Sequence, residues 1–148
     1  MAQAGKTPPR ALIKPLVALH NAIYRISGGR LGGYFGKGPV LLLTVKGRKS
    51  GKAQTVPLIY IATDRGYALI ASFAGSPTHP AWYLNLTAAG AADIQVGGRR
   101  LHMRAEPVPR ESPHYDDLWR RGVALYPDYE TYKARTTRII PIVELVAE

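Results

Sequence analysis

The chain has 148 residues, no cysteine and a formal net charge of +10 at pH 7. This length fits one domain with a single core, and the lack of cysteine excludes disulfides and thiolate metal sites. The charge is unevenly distributed, because residues 1–63 contain ten Lys or Arg and no acid, whereas residues 64–148 contain ten bases and ten acids. This asymmetry predicts a polyanionic partner, which is a nucleic acid, an anionic membrane surface or a multiply charged cofactor.

The N-terminal part of the chain predicts a helix. Residues 1–9 are small and polar and are expected to lack regular structure. Residues 10–27 repeat apolar side chains at helical spacing, which predicts a basic amphipathic helix with Pro15 in its first turn. The apolar stripe consists of Leu12, Leu16, Leu19, Ile23 and Ile26. We divide the chain into this helical segment, residues 1–27, and a barrel domain, residues 28–148.

The rest of the chain predicts short strands joined by close turns. Candidate strands are residues 39–47, 54–63, 67–72, the two arms of a Gly-Gly hairpin within 92–108, and 138–146; candidate helices are residues 81–90, 110–125 and 127–136. Residues 27–38 contain six glycines and predict a loop, and Pro57 predicts a sheet edge or a bulge. About six mostly antiparallel strands with flanking helices favour a small barrel in a mainly β, α+β fold.

A basic turn joins the first two candidate strands. Its sequence is TVKGRKSGKAQT, residues 44–55, with four cations and two glycines. A solvated hairpin loop is the ordinary explanation of such a charge run. Alternatively, the glycines let backbone amides form an anion-binding nest, to which Arg48, Lys49 and Ser50 add further donors. The GxxxxGK[ST] and GxGxxG patterns are absent, which argues against a P-loop or a dinucleotide-binding Rossmann site.

A second motif, residues 72–85, joins a strand end to a short helix. The small residues Ala74, Gly75 and Ser76 allow backbone amides to approach a phosphate or a ring, and the following helix N-terminus adds partial positive charge. Trp82 is either a wall of a binding pocket or a core aromatic residue. The sequence leaves both interpretations open.

A third motif places Tyr126, Tyr129 and Tyr132 along one helix face. They form either an aromatic stripe packed on the barrel or a wall over a planar ligand. The four histidines are scattered without an HExxH pattern, so we expect no metal site. A GxSxG elbow is also absent, which argues against an α/β-hydrolase nucleophile.

Three segments resemble one family in their order and spacing: LLLTVKGRKSGKAQTVPLIY, ASFAGSPTHPAWYLNL and YPDYETYKARTTRIIPIVEL. From about Leu31 to Leu145 the chain resembles the deazaflavin (coenzyme F420)-dependent nitroreductases, a group of F420H2-dependent quinone and nitroimidazole reductases. The resemblance implies a split β-barrel similar to FMN-binding barrels. It also implies a cytoplasmic oxidoreductase that transfers a hydride from F420H2 to a planar acceptor such as a quinone or a nitroaromatic.

The resemblance also identifies the expected anion, since F420 carries a phosphodiester and several glutamates. The cofactor-binding residues that it implies are Arg48, Lys49, Ser50, Gly51, Pro57, Tyr60, Ser72, Ala74, Gly75, Ser76 and Trp82. The catalytic residues that it implies are Ser72, Tyr126, Tyr129 and Tyr132. The chain lacks an arginine expected near Gln54, a lysine near Phe73 and an aromatic residue at Ile59. A preference for quinones or nitroimidazoles is therefore not carried over.

Two other classes of protein remain as alternatives: an FMN-binding split-barrel oxidoreductase and a non-catalytic cofactor-binding protein. FMN has one short phosphate and little use for so many cations. A nucleic-acid partner is not expected, because the aromatic residues cluster in residues 115–132, far in sequence from the basic part. The N-terminal helix either rests on the inner face of the cell membrane or packs on its own barrel.

Overall fold

The computed structural model describes residues 10–148, with side chains from residue 13 onward. Residues 1–9 and the side chain of Leu12, for which expectations are given above, lie outside the described residues. The helices are α1 (Arg10–Ser27), α2 (Ala81–Ala89), α3 (Pro113–Leu125) and α4 (Asp128–Ala134). The strands are β1 (Tyr34–Phe35), β2 (Gly38–Lys46), β3 (Ala53–Ile59), β4 (Ile61–Ala62), β5 (Gly66–Ile70), β6 (Ala91–Val96), β7 (Arg99–Val108) and β8 (Ile142–Ala147).

The strands form an antiparallel barrel that is open along one side. Pairing runs in the order β3-β2-β6-β7-β8-β5-β4, and β1 also pairs with β2. Across residues 10–148, β3 and β5 come close together but share no ladder, and we call this opening the seam. β3 is therefore an edge strand, as Pro57 predicts. The split barrel and its antiparallel strands confirm the predicted fold class.

β2 is apolar on both faces because a different core covers each face. Leu41 and Leu43 are buried in the barrel interior, where they belong to the same cluster as Leu145 of β8. Leu42 instead packs with Tyr24 of α1 on the outer side. A third cluster joins α3 and α4 to β5 and β8. The helices therefore close the outside of the sheet and leave the seam accessible.

The structure shows which face of α1 packs on the barrel, a point that the sequence left open. Much of the predicted apolar stripe is exposed, with relative exposures of 52% for Leu16, 58% for Leu19 and 89% for Ile26. The buried face instead carries Asn21 and Tyr24. The predicted stripe exists, but the barrel is not its partner. Periodicity identifies an apolar face without identifying what covers it.

Polar contacts explain why α1 buries its other face. The Asn21 amide donates a hydrogen bond to the Thr55 carbonyl oxygen at 3.1 Å, and Thr55 lies on the edge strand β3. The Tyr24 hydroxyl donates to the Val40 carbonyl oxygen at 2.9 Å. Buried polar groups are stable where such partners are available. Within the described residues, no helix is both long and apolar enough to cross a membrane.

Three smaller predictions are wrong in detail. Pro15 lies inside α1 rather than in its first turn. The sheet has eight strands rather than about six, because the predicted strand 54–63 is interrupted at Tyr60 and the glycine-rich loop contains β1. The last strand begins at Ile142 rather than at residue 138. The residues before it do not join the sheet, and Arg138 donates instead to the Ser76 carbonyl oxygen in the loop after β5.

Candidate active site

The seam opens into a cavity of about 780 Å³. This volume lies in the range typical of small-molecule sites, and most of the lining is apolar or aromatic. The lining comes from α1, β1, β3, β5, the turn after β5 and parts of α2 and α4. Among the residues implied for the site, those that line the cavity are Pro57, Ser72, Ala74, Trp82, Tyr126, Tyr129 and Tyr132. Segments far apart in sequence therefore meet around one cavity.

The basic turn between β2 and β3 is connected to the cavity through α2. The backbone amide and the Nη1 atom of Arg48 both donate to Oδ1 of Asn85, at 3.1 and 2.8 Å. Asn85 is buried in α2, the helix that begins at the cavity with Ala81 and Trp82. Arg48, Lys49, Ser50 and Gly51 do not line the cavity themselves. The contact with Asn85 nevertheless makes the turn more than a solvated loop, and Asn85 was missed by the sequence analysis.

Tyr60 packs beside the cavity rather than in it. Its ring lies against the barrel core and meets the ring of Tyr67 edge-on at 5.2 Å between centroids. Burial raises the pKa of Tyr60 above that of a free tyrosine. Because it does not line the cavity, a direct contact between Tyr60 and a bound ring is not favoured.

The turn after β5, residues 72–76, has an unusual backbone. Phe73 and Ala74 have positive φ angles of 45° and 52°, which non-glycine residues seldom adopt. Gly75 has φ of 77°, and a Cβ atom there would lie 2.6 Å from the carbonyl oxygen of Tyr132. Gly75 thus allows the turn to press directly against α4. Ala74 lines the cavity, whereas Gly75 and Ser76 do not.

The three tyrosines form a cluster at one end of the cavity. The hydroxyl groups of Tyr126 and Tyr132 are hydrogen-bonded at 2.9 Å, and both rings lie near that of Tyr129. Tyr129 is 6% exposed and packs on Trp119 in the core. Because it also lines the cavity, it belongs both to the aromatic stripe on the barrel and to the wall of the cavity. Phe35 of β1, whose ring centroid lies 5.5 Å from that of Tyr126, extends the aromatic wall and was not predicted.

Burial raises the pKa of two of these tyrosines, Tyr126 and Tyr129. Desolvation, with a smaller contribution from the Tyr132 hydroxyl, raises the pKa of Tyr126 far above neutral pH. Desolvation also raises the pKa of Tyr129. Their hydroxyl groups are therefore hydrogen-bond donors at neutral pH. The described lining residues include no carboxylate, so tyrosine hydroxyls are among the few groups of the cavity that can donate to an acceptor.

Comparison with known proteins identifies the family. Residues 16–147 match the model of the family described as F420H(2)-dependent quinone reductase. The chain belongs to this family. An F420H(2)-dependent quinone reductase of Mycobacterium tuberculosis is 39% identical over 132 residues, which cover 88% of this chain and 89% of that protein.

Solved structures support the same family and fold. An F420-H2 dependent reductase superposes with a TM-score of 0.63 and 36% identity, over 72% of this chain and 93% of that chain. Another structure, described as a domain-swapped dimer, gives a TM-score of 0.65 and 32% identity, over 88% and 98% of the two chains. The predicted family, the split barrel and F420 as cofactor are thereby confirmed, and the protein is an oxidoreductase.

The residues present fit F420. The apolar cavity suits a flat ring, and the exposed cations of the basic turn suit an anionic tail. The first residues of α2, Ala81 and Trp82, also line the cavity, and a helix N-terminus has partial positive charge. A planar group with an acidic tail matches this combination of surfaces.

Proposed function

We propose that this protein uses F420H2 to reduce a planar acceptor, such as a quinone or a nitroaromatic, in the cavity at the seam. The main support is that Ser72, Trp82 and the Tyr126–Tyr132 hydroxyl pair, from separate parts of the chain, line one apolar cavity. When bound, F420H2 supplies a hydride, while the protein supplies orientation and electrostatics.

The proposed cofactor contacts fall into two groups. The basic turn, with Arg48, Lys49, Ser50 and Gly51, binds the phosphodiester or the glutamates through charge-assisted hydrogen bonds. The cavity walls Pro57 and Trp82, with Ser72 and Ala74, hold the ring and the adjacent phosphate. Gly75 and Ser76 shape the turn, because their amides donate to the carbonyl oxygens of Ser72 and Phe73. Tyr60, which packs on the core, supports the site only indirectly.

The proposed role of the tyrosine pair is to donate to the acceptor. Negative charge develops on the acceptor oxygen during reduction, and a fixed donor in an apolar cavity stabilises that charge. The elevated pKa of Tyr126, caused mainly by burial, keeps its proton available throughout the neutral range. Ser72, 7% exposed, offers a further hydroxyl group in addition to the tyrosine pair. The aromatic wall excludes water from the reaction.

The proposed activity is tested by anaerobic incubation of the protein with F420H2 and either menadione or a nitroaromatic, while F420 reoxidation is followed optically. We expect acceptor-dependent reoxidation far above the protein-free rate. When reduced FMN replaces F420H2, the protein should not accelerate reoxidation beyond the protein-free rate. Binding of F420H2 without turnover of either acceptor would instead support a non-catalytic cofactor-binding protein.

Lys49→Met is expected to raise the Kd for F420 about tenfold, the effect of losing one charge-assisted interaction of ~1.5 kcal/mol. Turnover at saturating F420H2 should be nearly unchanged, because Lys49 does not line the cavity. Arg120→Met is the control, since it removes one positive charge from a side chain that is 77% exposed on α3. Equal affinities for F420 in the wild type and the Lys49 variant would remove this residue from the site.

We further propose that the exposed stripe of α1 rests on an anionic lipid surface at the inner face of the cell membrane. Leu19 and Ile26 are 58% and 89% exposed, and residues 1–63 contain no acid. An amphipathic helix with this charge binds such interfaces without crossing them. In this proposal, the exposed apolar stripe of the segment 1–27 contacts lipid, and the barrel domain, residues 28–148, binds the deazaflavin with α1 lining part of the cavity.

Sedimentation with vesicles tests the lipid contact. Wild-type protein should bind vesicles that contain phosphatidylglycerol, and Leu19→Gln with Ile26→Gln should lower the bound fraction several-fold, because both apolar anchors are lost. Ile139→Gln, at a residue 60% exposed outside α1, is the control and should bind as the wild type does. Equal binding by all variants, or a dimer in solution that the α1 variants abolish, would refute the lipid contact.

A further inference from the structure

Arg138 lies in the third of the quoted segments but is not among the predicted site residues, and it is bonded to the turn after β5. Its Nε atom donates to the Ser76 carbonyl oxygen at 2.8 Å, and its Nη2 atom donates to the Ser72 carbonyl oxygen at 2.7 Å. Both terminal nitrogens also lie 3.3 Å from the carbonyl oxygen of Ala71. One guanidinium therefore holds the carbonyl groups at both ends of the 72–76 turn.

The environment of Arg138 indicates a dedicated contact rather than an ordinary ion pair. Among residues 10–148, no carboxylate lies within ion-pair distance of it. Its Nη1 atom lies 3.0 Å from Nδ1 of His79, which must accept because arginine only donates. Burial, with the nearby Arg138 charge, lowers the pKa of His79, so this ring is a neutral acceptor at pH 7.

The turn needs such support because its backbone is strained. The left-handed conformations of Phe73 and Ala74 are unfavourable for residues with a Cβ atom. They persist only where the surroundings determine them. α4 contacts the turn at Gly75, while Arg138 holds the carbonyls of Ser72 and Ser76. The cavity-lining residues of the turn therefore depend on a residue outside the cavity.

We propose that Arg138 is a positioning residue for the F420 site, because its guanidinium holds the 72–76 turn in the strained conformation that lines the cavity. The inference rests on the proposed placement of F420 against this turn. It requires no contact between Arg138 and the cofactor. Loss of Arg138 lets the turn relax, and Ala74 and the Ser72 hydroxyl leave the positions in the cavity lining that F420 uses.

The first test uses the protein without cofactor. In Arg138→Met, hydrogen exchange of the Gly75 and Ser76 amides, which donate to the carbonyl oxygens of Ser72 and Phe73, should rise about tenfold or more, as expected for local opening. The β2 and β8 amides should keep their protection. Arg99→Met, which removes a charge from an exposed residue of β7, should behave as the wild type does. Unchanged exchange in the turn, or an equal rise throughout the sheet, would overturn the inference.

The second test measures F420 affinity by fluorescence titration. Arg138→Met should raise the Kd about tenfold or more, an effect equivalent to a few lost contacts. Ala74→Gly should recover part of that loss in the Arg138→Met background, because glycine adopts a positive φ without support. The same fold-change from Ala74→Gly in both backgrounds would show that strain is not what Arg138 controls.

The two tests also separate this inference from the proposed function. If wild-type protein binds no F420 while Arg138→Met still loosens the turn, the proposed cofactor placement fails and the support of the turn by Arg138 remains. If the turn loosens and F420 affinity stays unchanged, the positioning role is wrong and the placement of F420 elsewhere in the cavity remains.

Discussion

Tyr126→Phe and Tyr132→Phe are each expected to lower kcat/KM for a quinone acceptor by about 100-fold, the effect of removing a donor to a developing oxyanion. The two hydroxyl groups, 2.9 Å apart, act as one hydrogen-bonded pair. The double variant should therefore be little worse than the more severe single variant. The Kd for F420 should change less than about threefold, because each phenylalanine keeps the aromatic wall intact.

The measurement is steady-state kinetics with F420H2 at saturation and a varied acceptor. Tyr83→Phe is the matched control, since Tyr83 lies on α2 but does not line the cavity. Because burial raises the pKa of Tyr126 above its ordinary value, the rate should show no ionisation of Tyr126 up to about pH 10, the ordinary tyrosine value. Full activity in both single variants would limit the tyrosines to a packing role.

Tyr24→Ala is expected to lower the free energy of unfolding by about 3–5 kcal/mol, as for other large aromatic truncations. Tyr24 is 1% exposed and lies between α1 and the barrel. Its hydroxyl group contacts the carbonyl oxygens of Val40 and Gln95 and accepts from the Gly97 amide at 2.8 Å. The side chain thus joins α1, β2 and the β6–β7 turn in one contact.

Tyr24→Phe isolates the hydroxyl group and should cost about 1–3 kcal/mol, because it leaves buried backbone groups without a partner. Urea unfolding measures both changes. Ile26→Ala, at a residue 89% exposed on the same helix, should change stability by less than about 0.5 kcal/mol. A Tyr24→Phe protein as stable as the wild type would mean that α1 is not anchored through this hydroxyl.

Local signals in the sequence predicted much of the barrel. The Gly-Gly turn located the β6–β7 hairpin, and Gly97 adopts a φ of 58° there. Gly90 ends α2 with a φ of 77°. Such positions are predictable because the conformation depends on the residue itself and its immediate neighbours. The three motifs likewise carried the family resemblance, and several of their residues line one cavity.

Long-range contacts account for what the sequence could not predict. Arg138 and Ala71 are 67 residues apart in sequence, and Arg48 and Asn85 are 37 residues apart. Nothing in the local pattern of Asn85 or Arg138 indicates its partner, because each partner is set by the sheet topology. The face of α1 that packs on the barrel could not be predicted for the same reason. The edge strand β3 offers a carbonyl group to the polar face, where it accepts from Asn21.

Isothermal titration of the purified protein with F420, and separately with FMN, tests the central claim most directly. F420 should bind saturably with one molecule per chain, and FMN should bind at least about 100-fold more weakly because it lacks the acidic tail that the cations bind. No heat of F420 binding, or equal affinity for FMN, would contradict the account of the seam cavity and its basic turn.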